Sequence, residues 1–378
     1  MQETRADIAI IGGGVIGASA LFFLAKKGLK PLLLEAKSIA HGASGKAGGI
    51  LTPFAPSETP EIKELLGKSL QIHDNLAKEF DGENHYAYKK YRALTIATTL
   101  DEVNQLRETR LNSESQWLKN EEILQEKGWI NKETYGGICF TNYQLDPEAF
   151  TKKLVAESLK MGARLELGRV INLLKNKDRI EGLETKSGII RTEKVIFTMG
   201  PWTINLENWL GVKIPVIPLK GEILRMQIPN TPAGGFSDIQ GNYVLTRPNG
   251  IVFAGTTEDY AGFDTHPTQN GKDRILKSLS RYTDHLKEGA IVDHTACLRP
   301  LSADGLPFID QIPNINGAYI ATGHGRKGIA LGPATGESIS ELVTTGRSTS
   351  LDNFRLDRPI KTIKPKHPAN VHDLQQDA

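Results

Sequence analysis

An α/β fold is predicted for this 378-residue chain by three observations. The chain opens as strand, glycine turn, helix, strand over residues 6–35. A second glycine-rich junction between strand and helix lies near its other end, at 318–345. Between them stand short apolar runs separated by turn residues, the spacing of antiparallel strands. The length exceeds one small domain and suits two, built from interleaved segments.

Residues 6–11 are a short apolar run of the kind buried in a parallel strand. Apolar side chains then recur at Ile16, Ala20, Phe23 and Leu24, one stripe of a helix over 16–27. Lys26 and Lys27 suit its last turn, and Gly28 suits its stop. Residues 31–34 form a second apolar strand, ending at Glu35. Residues 38–50, rich in Gly, Ala and Ser, are expected to form a long loop. Helical spacing returns at Ile62, Leu65, Leu66, Ser69, His73 and Leu76. Strands are expected over 86–99 and a polar helix over 101–127. Asp146-Pro147 has the form of an N-cap followed by proline in the first helical position. The helix it opens carries Phe150, Leu154 and Leu159 and ends before Gly162.

Residues 163–199 are expected to run as a meander, broken at 175–178 and at Ser187-Gly188; its last apolar run meets Gly200-Pro201-Trp202. Strands are expected over 214–228 and 242–255, joined at Pro248-Asn249-Gly250. Residues 270–287 are expected to be helical and 318–322 a strand. Gly323-His324-Gly325-Arg326-Lys327-Gly328 then leads into a final helix to about 345. From 353 the chain turns polar, so 353–378 are expected to form a disordered tail. No internal repeat and no sustained heptads are present.

Lys and Arg number 46 against 44 Asp and Glu, a net charge of +2. A dedicated nucleic-acid binder would show a clustered basic excess, so no nucleic-acid partner is expected. Hydrophobic residues at 39% and charged residues at 24% are ordinary globular usage, which excludes a disordered or collagen-like chain. The two cysteines, Cys139 and Cys297, are too few for a disulfide framework and wrongly spaced for zinc. No pair of histidines has metal-ligand spacing beside a carboxylate, and no metal is expected. A reducing, cytoplasmic setting is the simplest reading. Residues 8–25 are uncharged and mostly apolar, but three consecutive glycines disfavour a helix across them. Glu3, Arg5 and Asp7 precede them in place of a clean positive segment, so neither a signal peptide nor a membrane helix is expected. No other stretch approaches the roughly 20 apolar residues needed to span a bilayer.

Three constellations carry chemistry. Gly12-Gly13-Gly14-Val15-Ile16-Gly17 fits G-x-G-x-x-G. Gly12 permits a tight turn, Gly14 has no side chain to block a pyrophosphate, and Gly17 lets the helix pack closely on the strand. The helix N-terminus offers free N–H groups and a partial positive charge to phosphates. Glu35, at the end of the next strand, can accept hydrogen bonds from ribose hydroxyls. In that context the turn reads as a Rossmann-like dinucleotide site; a purely structural glycine turn is the alternative. The second constellation, Ala43-Ser44-Gly45-Lys46-Ala47-Gly48-Gly49-Ile50, would let backbone amides approach a bulky planar ligand, or be a flexible loop. A Walker loop is excluded because positions 40 and 47 are both Ala. A serine-hydrolase turn is excluded because Lys46 stands where a glycine is needed after Ser44. The third, Gly323–Gly328, supplies backbone donors at a helix N-terminus. Such a dipole stabilises negative charge on a reduced isoalloxazine, which a nicotinamide enzyme has less need of.

The order of the motifs IIGGGVIGAS, LLLEA, ASGKAGGIL, TMGPWT, NYVLTRPNG, LRPLSADGLPFI and TGHGRKGIALGPATG resembles the glycine oxidase and D-amino-acid oxidase family of FAD-dependent oxidoreductases, its glycine oxidases most. The resemblance covers roughly residues 5–345. Met199 stands where the family often has Ala, and Cys297 where a small residue is common.

The resemblance implies a Rossmann-like FAD-binding domain of residues 1–85, 146–214 and 296–352, interleaved with an antiparallel-sheet substrate domain of 86–145 and 215–295. It implies FAD contacts at Gly12, Gly14, Val15, Ile16, Gly17, Glu35, Ala36, Ala43, Ser44, Gly48, Gly49, Ile50 and Val170, and at His324, Gly325, Arg326, Lys327, Gly328, Ile329 and Ala330. Arg299 and Arg326 would touch the substrate, and Tyr243 would help hold its carboxylate. A guanidinium can clamp a carboxylate with two hydrogen bonds, which agrees with that role for Arg299; a surface ion pair is the alternative. Tyr243 could instead pack in the core, and Arg326 could touch FAD alone. Cys297 invites a covalent flavin link, but a buried structural thiol and noncovalent FAD are expected. The implied reaction is oxidative deamination of glycine, sarcosine or a D-amino acid: hydride passes from Cα to flavin N5, and the imine hydrolyses to a 2-oxo acid. Oxygen, or another acceptor in a dehydrogenase, takes the electrons, giving hydrogen peroxide in the first case. A flavin-binding assembly protein without turnover would not need Arg299 with Tyr243.

Overall fold

The apolar run that opens the chain becomes the middle of a sheet. In a computed structural model, which describes residues 2–53, 58–108, 115–126 and 128–360, Ala9–Ile11 pairs in parallel with Leu32–Glu35 on one side and Val195–Phe197 on the other. Among the described residues this sheet runs Phe308–Gln311, Ala318–Thr322, Val195–Phe197, Ala9–Ile11, Leu32–Glu35, Arg164–Leu167, and every pairing but the first is parallel. Its central strands are covered on both faces, which is why they read as unbroken apolar runs. Ile8, Ile10 and Leu33 face helices Val15–Lys26, Pro60–Glu79, Pro147–Lys160 and Gly328–Thr345. Ala9, Ile11, Leu32 and Leu34 face the other way, toward the sheet of Gln2–Arg5, Gly188–Arg191, Arg179–Thr185 and Val170–Asn176.

The helices begin where their caps dictate. The Thr59 hydroxyl accepts from the Ile62 N–H, and the Asp146 carboxylate accepts from the Ala149 N–H at 2.9 Å, each ahead of a proline in the first turn. Ile62, Leu65, Leu66, Ser69, His73 and Leu76 are all buried, the face their spacing predicts. Each aliphatic side chain so buried contributes roughly 1.5–3 kcal/mol. Helix Gly328–Thr345 crosses Val15–Lys26 closely because Gly336 has no side chain: a Cβ there would stand 2.4 Å from that of Ser19.

The remaining sheet runs Ala290–Ser302, Val216–Gln227, Val252–Gly255, Tyr243–Thr246, Gly235–Asp238, Lys89–Ala97, Gly136–Gln144, Gln116–Leu118. It is antiparallel except for one pair, Gly235–Asp238 with Lys89–Ala97, which is parallel. The long excursion of the chain between these two strands is the crossover that a parallel pair needs.

Several elements differ from expectation. The first strand starts at Ala9, and Gln2–Arg5 pairs elsewhere. Residues 38–50 contain one helical turn, Ala43–Lys46. The expected strands at 86–99 are preceded by a short helix, Gly82–Tyr86. The polar helix expected over 101–127 is two short helices, Leu100–Glu108 and Asn120–Gln125, with the strand Gln116–Leu118 between them; 109–114 and 127 lie outside the described residues. Their sparse apolar positions carry no helical period to say where one ends. Arg164–Leu167 leaves the expected meander to edge the parallel sheet. Helix Gln269–Leu279 stops short, and His285–Glu288 is a separate 3-10 turn.

The expected tail also starts too early. Phe354 is buried, and Arg358 donates to both Asp304 carboxylate oxygens at 2.8 and 2.9 Å and stacks on the Phe308 ring. The rest of the expected tail, 361–378, lies outside the described residues. Both cysteines are buried thiols. Among the described residues no helix is long and apolar enough to cross a membrane.

Candidate active site

The first glycine turn is shaped by what a side chain would strike. Gly12 has φ of +111°, and a Cβ there would approach the Thr198 carbonyl oxygen to 2.5 Å. A Cβ on Gly17 would stand 2.0 Å from the Gly12 carbonyl oxygen, so the helix sits directly on the strand end. The Val15 N–H donates to Ser44 Oγ at 2.9 Å, tying the 43–50 loop to the helix N-terminus. Glu35 accepts from the Gly13 N–H at 2.7 Å and from the Lys37 N–H at 2.8 Å, one on each carboxylate oxygen. The carboxylate is thereby fixed at the strand end with acceptor capacity left for hydroxyl groups.

These residues form one wall of a cavity of about 2730 Å³. Drug-sized ligands occupy roughly 300–1,000 Å³, so there is room for a dinucleotide and a small second ligand. Gly12, Gly14, Val15, Ile16, Glu35, Ala36, Ala43, Ser44, Gly48, Gly49, Ile50 and Val170 line it, as do His324, Gly325, Arg326, Lys327, Gly328, Ile329, Ala330, Tyr243 and Arg299. Gly17 is the exception among the expected contacts: it lies beneath the wall, packed on Gly12, and serves the fold. His324 lines the cavity with its ring turned into the protein. Its ring is buried, with Nε2 against Thr335 Oγ1 at 3.0 Å, and burial pushes its pKa down to about 3. Its Nδ1 is buried and has no partner among the described residues.

Helix Gly328–Thr345 points its N-terminus into the cavity, with Gly328, Ile329 and Ala330 in the wall. The free N–H groups and dipole of that turn favour negative charge. Lys327 beside it pairs with Glu58 at 2.8 Å.

Arg299 lies buried on strand Ala290–Ser302. Its Nη2 donates to Thr256 Oγ1 at 2.7 Å and its Nη1 to the Thr257 carbonyl at 3.1 Å. The guanidinium rests on Gly221, where a Cβ would stand 2.0 Å from Nη1. Its hydrogen-bond partners are neutral atoms, and the Glu258 carboxylate is near enough for its charge to act on it. Burial disfavours its charge and pulls its pKa down. A buried cation with only neutral acceptors is the feature that an anionic ligand would complete.

Tyr243 stands in the same wall. Burial pushes its phenol up to about 12, with the Arg299 charge opposing, so at neutral pH it is a neutral donor. Its hydroxyl faces Gly48, where a Cβ would come within 2.5 Å. The buried Arg247 braces that backbone: Nη1 donates to the Gly48 carbonyl at 3.4 Å and Nη2 to the Leu145 carbonyl at 2.6 Å. Arg326 is placed differently from Arg299, because its guanidinium pairs with the Glu258 carboxylate. Burial pushes the Cys297 thiol up, which keeps it protonated and unreactive.

Sequence reasoning missed Thr256, Thr257, Glu258 and Gly221, and gave no role to the side chain of Lys46, whose Nζ donates to the Ala296 carbonyl at 3.1 Å. The one available signal was Gly221, a glycine inside a strand run, which marks a close approach.

Residues 7–342 match the family described as FAD dependent oxidoreductase. The chain is 27% identical to a glycine oxidase of Pseudomonas aeruginosa over 359 residues, covering 91% of this chain and 96% of the relative. It resembles the crystal structure of a glycine oxidase from Bacillus cereus with a TM-score of 0.86 at 25% identity, over 94% of this chain and 99% of that one. The glycine oxidase of Geobacillus kaustophilus gives a TM-score of 0.86 at 26% identity, over 95% and 100%.

Proposed function

The chain belongs to the family of FAD dependent oxidoreductases, and within it we propose that the protein oxidises a small amino acid, namely glycine, sarcosine or a D-amino acid. The observation that carries this reading is Arg299, a buried guanidinium with neutral hydrogen-bond partners, beside the neutral phenol of Tyr243. The names of the similar glycine oxidases support it.

The cavity fits FAD on its own chemistry. Two helix N-termini, at Gly14–Val15 and at Gly328, lie in its wall where they can face phosphate and flavin, and Glu35 is fixed where an adenosine ribose needs an acceptor. Gly12, Gly14, Val15 and Ile16 would hold the pyrophosphate, the 43–50 loop and Val170 would flank the cofactor, and 324–330 would hold the flavin end. FAD, when bound, supplies the hydride acceptor and passes the electrons to oxygen, giving hydrogen peroxide.

Arg299 takes the substrate carboxylate through two hydrogen bonds, and the Tyr243 hydroxyl donates a further one. This fixes Cα in one orientation, and positioning of this kind supplies much of a rate. The substrate amine loses its proton to water before Cα loses hydride, and its lone pair forms the C=N bond, so no side-chain base is needed. Water then adds to the imine, releasing the amine nitrogen and leaving a 2-oxo acid. Overall one amino acid, one oxygen and one water give a 2-oxo acid, ammonia (methylamine from sarcosine) and peroxide.

The test is aerobic turnover of the FAD-loaded protein with glycine, sarcosine, proline and a panel of D-amino acids. Equal amounts of peroxide and 2-oxo acid are expected from at least one of the small amino acids. Oxo acid formed only with an added quinone would overturn the oxygen step, and no product from any of them would overturn the substrate class.

A further inference from the structure

Two guanidiniums, Arg299 and Arg326, line the same cavity wall and lie near enough to act on each other's charge and on the Tyr243 phenol. One short segment of chain treats them differently. The Thr256 hydroxyl and the Thr257 carbonyl hydrogen-bond Arg299 through neutral atoms, while the next residue, Glu258, forms its ion pair with Arg326 and reaches Arg299 only through its longer-range charge. Arg326 opens toward solvent, with a side-chain accessibility of 36% against 21% for Glu258, so the pair holds the outer end of the wall. Gly241 leaves the room that Arg326 occupies: a Cβ there would stand 2.2 Å from its Nη1. Lys327 is already paired with Glu58.

Two uncompensated guanidiniums in one wall would make a site for two carboxylates. We propose that Glu258 sets the charge class of the substrate: by neutralising Arg326 it leaves Arg299 to take a single carboxylate, and so selects monocarboxylate amino acids against dicarboxylate ones. Rejection comes from a resident negative charge where a second carboxylate would lie, which is how charge discriminates between ligands of similar size. The inference rests on the reading that Arg299 takes the substrate carboxylate.

Acetate and malonate, which cannot be oxidised, test it by the change each makes in the flavin absorbance of FAD-loaded protein. The wild type is expected to bind acetate at least as well as malonate. Glu258→Gln is expected to raise malonate affinity relative to acetate by about tenfold. The double variant Glu258→Gln/Arg326→Gln, which removes the released cation as well, is expected to return the ratio to the wild-type value. Glu258→Met repeats the measurement if the glutamine variant does not retain FAD. A ratio that moves by less than about twofold in the single variants overturns the proposal and leaves the carboxylate site standing. If neither anion perturbs the wild-type flavin, the carboxylate reading of Arg299 falls, and this inference with it.

Discussion

At Arg299 a charge is buried against neutral atoms, and this makes it the most informative residue to remove. Arg299→Ala is expected to lower kcat/KM by about 30-fold to several thousandfold, since truncating one partner of a buried charge pair costs on the order of 2–5 kcal/mol. The flavin spectrum of the variant should be unchanged. Arg299→Lys should rescue it only in part, because a point charge cannot make the planar two-point contact. Tyr243→Phe, which removes one hydrogen bond and no charge, is expected to cost about 1–2 kcal/mol. Gly48→Ala reaches the same phenol from the other side, as its Cβ would lie 2.5 Å from the Tyr243 hydroxyl. Steady-state kinetics should show a raised KM for that variant, and adding Tyr243→Phe to it should cost little more; full additivity would mean that Gly48 does not position the phenol. The glycines were legible in the sequence because a backbone requirement leaves its mark in residue type, whereas Arg299 was singled out by the resemblance of its motif and not by residue type alone. Glu258 was not, because its meaning depends on Arg326, which pairs with it from another part of the chain.

The segment after the final helix shows how a single element escapes such reading. Its polarity suggests a tail, yet Phe354 is buried and Arg358 spans Asp304, the Leu306 and Pro307 carbonyls and the Phe308 ring. Isolated anchors of this kind carry no period. Arg358→Ala should cost about 3 kcal/mol at neutral pH, because it leaves a buried carboxylate unpaired. Burial pushes the Asp304 carboxyl up, but the Arg358 hydrogen bonds and charge outweigh it and hold the group below the usual range. A depressed carboxylate contributes stability above its ordinary pKa and loses it as pH falls through the folded value. The gap between wild type and variant in urea unfolding should therefore be widest near pH 7 and shrink below about pH 4. An equal gap at both pH values would mean that the ion pair is not what holds the segment. By contrast, helices Pro60–Glu79 and Pro147–Lys160 were legible from cap and stripe, since both signals are local.

Across the whole molecule, the parallel sheet was readable at both ends of the chain because its strands feed glycine turns. The order of the eight-stranded sheet was not, because its parallel pair joins strands that are distant in sequence. The parallel-sheet half depends on pH through two buried imidazoles. His73 is pushed down to about 4 and His324 to about 3, each chiefly by burial. The unfolded chain takes up those protons near pH 6.5 and the folded one does not, so stability falls as pH drops from there toward the folded values. At pH 5 each imidazole should contribute about 2 kcal/mol of that loss. His73→Gln, whose amide can still donate to the Ile329 carbonyl, should flatten the fall in Tm; an unchanged slope would mean that His73 is charged in the fold. The central claim, that this cavity joins FAD to a carboxylate-clamped amino acid, is tested most directly by anaerobic mixing of the yellow protein with glycine, sarcosine, proline and D-amino acids. Bleaching of the flavin is predicted with at least one small amino acid in the wild type, and slow or absent bleaching in an Arg299→Ala protein that still holds FAD. A wild-type flavin that stays oxidised with every one of them, or equal bleaching in the two proteins, would contradict it.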